Sequence, residues 1–518
     1  MVSMYNKGFP VCIVTKSTIY LLLLLSALPV TVLLSAESEP WIDRDRFPEA
    51  YSILTSDHIM FPGNVADWPM KIDSTRQLFV DDYCISSTAN LTRQFHQPVK
   101  YSANPLMSGF PVAVIHDIKS GKFRMWYNMH YAESTDGINW RKPNLGPQAN
   151  RVFSGPGEVR GFIYNPDSSD PQRRYEAVIE VRANEETKQK GGFFVHHSAD
   201  GLHWKQTYKS SILQRTYSTM PNVSFWAKGV GDTSIFRYDP KLKKYVCDTK
   251  FNLYLTKQKI QQLGIVPDFK PRLRLRAFME SDDLIHWSRE RFLMFPDRLD
   301  PPDRQLYGHI GFVYESMWIG MIRTMSLHPK GYKQVDIQLS YSRDGRHWSR
   351  PSRRKPFIPF GTGGNWETDY LGSAKIGPVV VGDELWFYYF GSRNGDRDDV
   401  REWSFDIGLA KLRRDGFASL NAVQTPGRII TRPMTFKGKK LFVNAEVEEG
   451  GWVKAAVLTR ESEPTASYTL ENSIALTKDT TKGRLVWDSK EELAVPGDGH
   501  LRLVFQLKNA KLYSFWIE

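Results

Sequence analysis

The chain has 518 residues, a formal charge of +12, and 24% charged and 13% aromatic residues. It carries no low-complexity tract and no coiled-coil heptad, so it is a folded chain long enough for two or three domains. The basic excess admits nucleic acid, anionic lipid or anionic glycan as partners. It is scattered, however: only residues 270–276 (KPRLRLR) and 352–355 (SRRK) form local patches, and no nucleic-acid motif accompanies them.

In chain order, Lys7 and Lys16 precede an apolar run from Ile19 to Leu34, followed by small Ser35 and Ala36. That is the order of a secretory signal, with cleavage expected near Ala36. The alternative is an uncleaved N-terminal membrane anchor. After cleavage, Cys84 and Cys247 remain, as one disulfide or as two buried thiols. Residues 37–75 hold several prolines and no sustained period, which predicts a lead-in segment.

From residue 76 the pattern is strand, turn, strand, with one helix expected in residues 254–264 ahead of Gly264. One turn recurs at intervals of roughly 60 to 80 residues, a spacing that belongs to repeat architectures. It reads YAESTDGINW at residues 131–140, HHSADGLHW at 196–204, MESDDLIHW at 279–287 and SYSRDGRHW at 340–348, with a weaker echo, GLAKLRRDGF, at 408–417. Ser and Asp hold a turn by bonding nearby backbone N–H groups, Gly accepts positive φ, and Trp packs between sheets. The motif is therefore structural. Each copy follows three predicted strands and precedes a short fourth. The expectation is an all-β chain: a five-bladed β-propeller over residues 76–420, then a β-sandwich over 421–518.

This turn, with five blades and a C-terminal sandwich, resembles the five-bladed glycosidase propellers such as glycoside hydrolase families 32 and 43. The stretches LFVDDYCI (78–85), HQPVK (96–100), NPLM (104–107), GFASL (416–420) and LYSFWIE (512–518) resemble a group of exported proteins of environmental bacteria with that propeller. The resemblance implies a glycoside hydrolase. The family 32 boxes Asn-Asp-Pro-Asn, Arg-Asp-Pro and Glu-Cys are absent, so no catalytic residue transfers. The Asp-Pro of FRYDP (236–240) reads as a hairpin turn.

Glycosidases usually need two carboxyl groups across the scissile bond. In a propeller the innermost strands line the channel, so candidates open first strands. Asp232 opens the third, and Glu367 and Asp369 open the fifth, with Trp366 and Tyr370 to stack on a sugar. These three carboxylates are the expected catalytic set. Glu158 opens the second, beside Arg160; Asp303 precedes the fourth, with His309 as a sugar contact or proton donor; Arg393 is placed to bind an anionic group. Asp81 and Asp82 are expected to fix the chain's entry and Glu315 to lie at a solvated hairpin. No metal or cofactor is implied: NGDRDDV (394–400) suggests a Ca²⁺ loop but lacks its downstream Glu. The reading is an exported glycoside hydrolase acting on carbohydrate, neutral or anionic, without nucleic acid or lasting membrane contact. The alternatives are a non-catalytic carbohydrate-binding propeller and a glycoside phosphorylase.

Overall fold

In the computed structural model the described residues are 69–518, apart from 185, 187–190, 214–225, 229, 265–271, 328–332, 363–364, 394–403, 489 and 495–498. The signal-like segment and the NGDRDDV stretch lie outside them. Antiparallel pairing organises the chain into successive units. The first comprises Pro111–Asp117, Lys122–Tyr127 and His130–Ser134. The second runs Glu158–Tyr164, Tyr175–Val181, Gly192–Ser198 and Lys205–Gln206. The third runs Ile235–Asp239, Lys244–Tyr254, Arg272–Ser281 and Arg291–Met294. The fourth runs Gln305–Tyr314, Met317–Leu327, Lys333–Ser342 and Pro356–Ile358.

In the fifth unit, Tyr370–Ser373 and Val379–Val381 both pair with Glu384–Ser392, which pairs with Asp406–Arg413. Its outer edge is filled from the N-terminal side, by Val99–Lys100 and Met107–Ser108. The strand that follows the fifth turn, Ala418–Ala422, leaves for the C-terminal sheet. An open edge is a row of unpaired backbone groups, and the borrowed strands cover it.

Apolar seams join the units in sequence. Trp126 meets Phe162 and Tyr175 between the first and second, and Phe193 meets Phe236 between the second and third. Val246 and Phe278 share a cluster with Ile322 and Trp348 between the third and fourth. Ile319 and Ile337 share one with Phe387 and Tyr389 between the fourth and fifth. Phe123 and Met125 then share a cluster with Trp386 and Tyr388, so the fifth unit packs on the first.

The repeated turn supports these seams. In each of four copies the Asp Oδ1 accepts two backbone N–H groups, from Ile138 and Asn139, Leu202 and His203, Ile285 and His286, or Arg346 and His347. Its Oδ2 takes the side chain of Asn139, His203, His286 or His347 at 2.5–2.7 Å. Burial opposes the charge on Asp136, Asp200 and Asp344. These bonds outweigh it and hold the carboxyls well below the usual range. At Asp283 the bond from His286 leads the same effect. The following residue has positive φ: Gly137, Gly201 and Gly345, but Leu284 in the third copy. Three Trp indoles donate to that residue's carbonyl, whereas in the first copy Tyr388 of the fifth unit takes the Gly137 carbonyl and Trp140 Nε1 is buried without an acceptor.

The C-terminal strands Gly427–Thr431, Leu441–Leu458, Thr480–Leu485 and Arg502–Ile517 form a sheet that also takes in Gln77–Leu78, Ile85–Ala89 and Thr92–Phe95. Residues 77–95, expected to open the propeller, thus hydrogen-bond with the C-terminal module. They pack there because Phe79 and Cys84 belong to its core, with Val443, Trp487 and Phe505. Asp81 pairs with Arg343 and Asp82 with Arg93, which fixes the chain's entry. Asp415, of the fifth echo, is fully buried and accepts from Arg76 at 2.7 Å, Tyr314 at 2.8 Å, Asn444 at 3.0 Å and Ser514 at 2.6 Å. Glu315, expected to be solvated, is mostly buried and bonds the Arg76 backbone. Cys84 and Cys247 are separate buried thiols. The expected helix is Lys257–Leu263, and no helix among the described residues is long and apolar enough to cross a membrane.

Candidate functional site

Charged side chains gather where the second unit's first strand opens. Glu158 and Glu180 stand directly opposite each other in register. Arg160 is the extra residue of a β-bulge between Val159 and Gly161. A bulge re-aims a side chain, and here Arg160 reaches both acids, Glu158 at 2.5 Å and Glu180 at 2.7 Å. Glu180 is buried, while Glu158 is about one-third exposed in its side chain. Both line a cleft of about 390 Å³ with Gly157, Arg182 and Asn184.

Neighbouring units complete the cluster. Asp232 of the third unit pairs with Lys250 and lies within the electrostatic reach of Arg160. Lys375 of the fifth unit donates its backbone N–H to Val112 of the first and its ammonium to the Val159 carbonyl of the second, 3.8 Å from Glu158. Burial pushes this amine down to about 7, with Glu158 opposing and Arg160 and Arg323 adding to the fall. Lys375 therefore exchanges its proton near neutral pH, in contact with a carboxylate. Tyr307 of the fourth unit and Tyr370 of the fifth meet edge to face at 6.3 Å.

Of the expected residues, Glu158 bonds Arg160 and Asp232 lies within the electrostatic reach of Arg160, whereas Glu367 and Asp369 do not join them. Glu367 is buried and paired at 2.7 Å with Lys100, on the outer edge of the fifth unit. Burial, with Glu367 adding to it, drives the Tyr389 hydroxyl pKa far up. Glu367 and Asp369 precede the strand that begins at Tyr370, so the alternation expected to aim them together does not apply. Asp369 is buried and takes a 3.4 Å contact from Gln334. Trp366 is half-buried and stacks on Tyr389 at 5.8 Å, and Tyr370 is buried against Phe390 and Phe405, so the Tyr370 ring is not open to a sugar.

His309 is also no sugar contact. It is 1% exposed, bonded to Asp248 and to Ser340 at 2.9 Å, because its position in the strand points into the seam between third and fourth units. Asp303 is half-buried with its own partner, and Arg393 is exposed just beyond Glu384–Ser392. Asp239 is the turn residue it was expected to be: its Oδ1 accepts the backbone N–H groups of Lys241 and Leu242, and its Oδ2 accepts from Arg237 and Trp318.

Sequence reasoning missed Glu180, Lys250, Lys375 and Arg323. All but Lys375 lie on second strands, and the search was confined to the openings of first strands. Their signal was a charge inside an apolar run, as in AVIEV, SAKIG and IGMIRTM. Among the described residues no three metal-ligating side chains are gathered.

No family model matches the chain, and no curated protein matches it. Solved structures with some likeness include an N-acetylgalactosamine deacetylase from F. plautii in complex with blood group B trisaccharide (TM-score 0.39, 13% identity, 64% of this chain and 97% of that one). Another is the family 32 β-fructofuranosidase of Bombyx mori (TM-score 0.34, 11% identity, 82% of this chain and 93% of that one). A third belongs to family 130, described as mannoside phosphorylases containing glycoside hydrolases that target β-1,2 mannosidic linkages in Candida mannan (TM-score 0.36, 13% identity, 62% and 94%). At these scores the likeness carries no argument about this chain's fold or chemistry.

Proposed function

We propose that this chain is an exported carbohydrate-active enzyme, a five-bladed propeller with a C-terminal β-sandwich, that cleaves a glycosidic bond at the cleft beside Glu158. The observation that carries this reading is the carboxylate cluster Glu158, Glu180 and Asp232 gathered around Arg160. Cleavage through an oxocarbenium-like transition state needs one carboxyl to protonate the leaving oxygen and one to act as base or nucleophile. Glu158 and Asp232 are partly open, come from adjacent units and both act electrostatically on Arg160, which favours them as the pair that flanks the sugar. In this reading Arg160 and Glu180 position Glu158, and Lys375 carries a proton that is mobile near neutral pH. Glu367, first expected in the acid–base pair, has a structural role.

The test begins with a screen of neutral and acidic polysaccharides, followed by Glu158→Gln and Asp232→Asn on any substrate found. Each variant is expected to lose roughly 10²–10⁴-fold in rate with glycan binding largely kept. Glu367→Gln is expected to lower stability more than kcat. Undiminished turnover in both cleft variants would overturn the assignment, and glycan binding without turnover by the wild type would make the site a receptor.

A further inference from the structure

Beside the cleft, the third and fourth units hold a group of cations that the cleavage reading does not use. Three cations converge on one ring: Lys250, Arg274 and Arg323 lie 5.7, 5.8 and 5.4 Å from the centroid of Tyr307. Lys250 is paired with Asp232, and Arg274 donates at 2.6 Å to Gln305. Arg323 Nε, like that of Arg274, is buried without an acceptor, and among the described residues no carboxylate pairs with the Arg323 guanidinium. Like charges held close to one another destabilise a fold unless an anion joins them. The neighbourhood records that repulsion: burial lowers the pKa of Arg276 and Lys375, and Arg323 lowers both further.

The backbone is shaped for this guanidinium. Gly308 stands opposite Arg323 in register, at a bulge in the strand. A Cβ at 308 would come within 2.6 Å of Arg323 Nε and Nη2. The glycine thus leaves the room in which the guanidinium lies across the strand toward Tyr307.

We propose that Arg323, with Arg274 and Lys250 around Tyr307, forms an anion subsite that takes an oxyanion of the substrate: a uronate carboxylate, a sulfate ester or a phosphate. Guanidinium binds such groups through two parallel hydrogen bonds, and the tyrosine face supports the cations behind it. This inference rests on the carbohydrate reading of the neighbouring cleft and specifies its substrate as acidic.

The experiment is calorimetric titration of the full chain at low salt with four probes: digalacturonate, galactose 6-sulfate, neutral galactobiose and inorganic phosphate. Wild type is expected to bind at least one charged sugar roughly tenfold or more tightly than galactobiose. Arg323→Gln is expected to abolish that preference. Gly308→Ala, which keeps every charge but displaces the guanidinium, is expected to do the same, and exposed Lys119→Gln to keep it. Phosphate binding that is lost with Arg323→Gln supports the subsite and assigns its anion to free phosphate. Equal binding of acidic and neutral sugars without phosphate binding overturns the inference, as does a preference that survives Arg323→Gln. Thermal melts of each variant exclude unfolding as the cause; if Gly308→Ala does not fold, Arg323→Gln decides. Anion binding by a chain that turns over no glycan would keep the subsite and remove the cleavage reading. Turnover of a neutral glycan with no anion preference would do the reverse.

Discussion

The four full copies of the Ser-x-Asp turn and the fifth echo at Asp415 use the same acid in opposite ways. Asp200, Asp283 and Asp344 keep 45–48% of their side chains exposed and bond their own turn. Asp415 exposes none and bonds four distant side chains. The route of the next strand makes the difference. After the second, third and fourth turns the chain returns to the same sheet. After the fifth it departs, and an aspartate that would have faced water faces another module. Backbone geometry follows suit: in the four copies positive φ falls on the residue after Asp, whereas Asp415 itself has φ 61°.

The sharpest way to break the comparison is Asp415→Ala. It leaves buried Arg76 with only the more distant Glu315, 3.9 Å away, as counter-charge, and orphans the partners of Asp415, a loss that approaches about 3–5 kcal/mol. Urea unfolding measures it, and a loss below about 1 kcal/mol would mean the buried cluster does not hold the modules together. Next in size is Gly201→Ala. This residue has φ +77°, and a Cβ there would lie 2.6 Å from the Trp126 ring. Strain and overpacking together cost about 1–3 kcal/mol, read as a shift in urea midpoint.

Asp200→Ala removes hydrogen bonds at a half-exposed turn and should cost only about 1 kcal/mol. His203→Ala, which trims one exposed partner of that carboxyl, should stay within about 0.5 kcal/mol. If Asp200→Ala matched Asp415→Ala in the same assay, exposure would not be what separates the two classes.

Titration sharpens the contrast further. The turn aspartates have folded pKa values below their unfolded ones, so their stabilisation is present above about pH 4 and lost as pH falls below it. Lys375 is depressed to about 7, so the unfolded chain binds more protons between there and about 10.4. Stability should therefore rise with pH across that window. Unfolding followed from pH 6 to 10 should show this slope in the wild type and a flatter one in Lys375→Met. Equal slopes would place the Lys375 amine in contact with water.

Much of the fold was legible because its signals are local. Alternation marks the strands, and Ser-x-Asp with a following Trp marks each turn, even where Leu284 replaces glycine. The borrowed edge strands were not legible, because VK at 99–100 and MS at 107–108 carry no pattern and acquire a partner only through closure. At the candidate site, position in the sequence singled out Asp232, Glu158 and Arg160 but not Glu180 or Lys375. It misplaced Glu367, because a carboxylate in a loop before a strand looks the same in sequence whether a lysine such as Lys100 covers it or not. Arg323 was missed because its meaning depends on the glycine across the sheet.

The N-terminal stretch that supplies edges to two modules also sets an order of events. Arg76 bonds Asp415, 339 residues further on, and the Thr481 carbonyl, 405 residues further on. A chain emerging from the ribosome presents this stretch early and its partners last. The second, third and fourth units can close on themselves as they appear, but the fifth unit's edge and the C-terminal sheet close only by recalling residues made hundreds of peptide bonds before. Contacts of such long sequence separation slow folding. Maturation should therefore end on a single late docking step, and cutting the chain between residues 95 and 99 should expose the edge of the C-terminal sheet while residues 99–108 still cover the fifth unit.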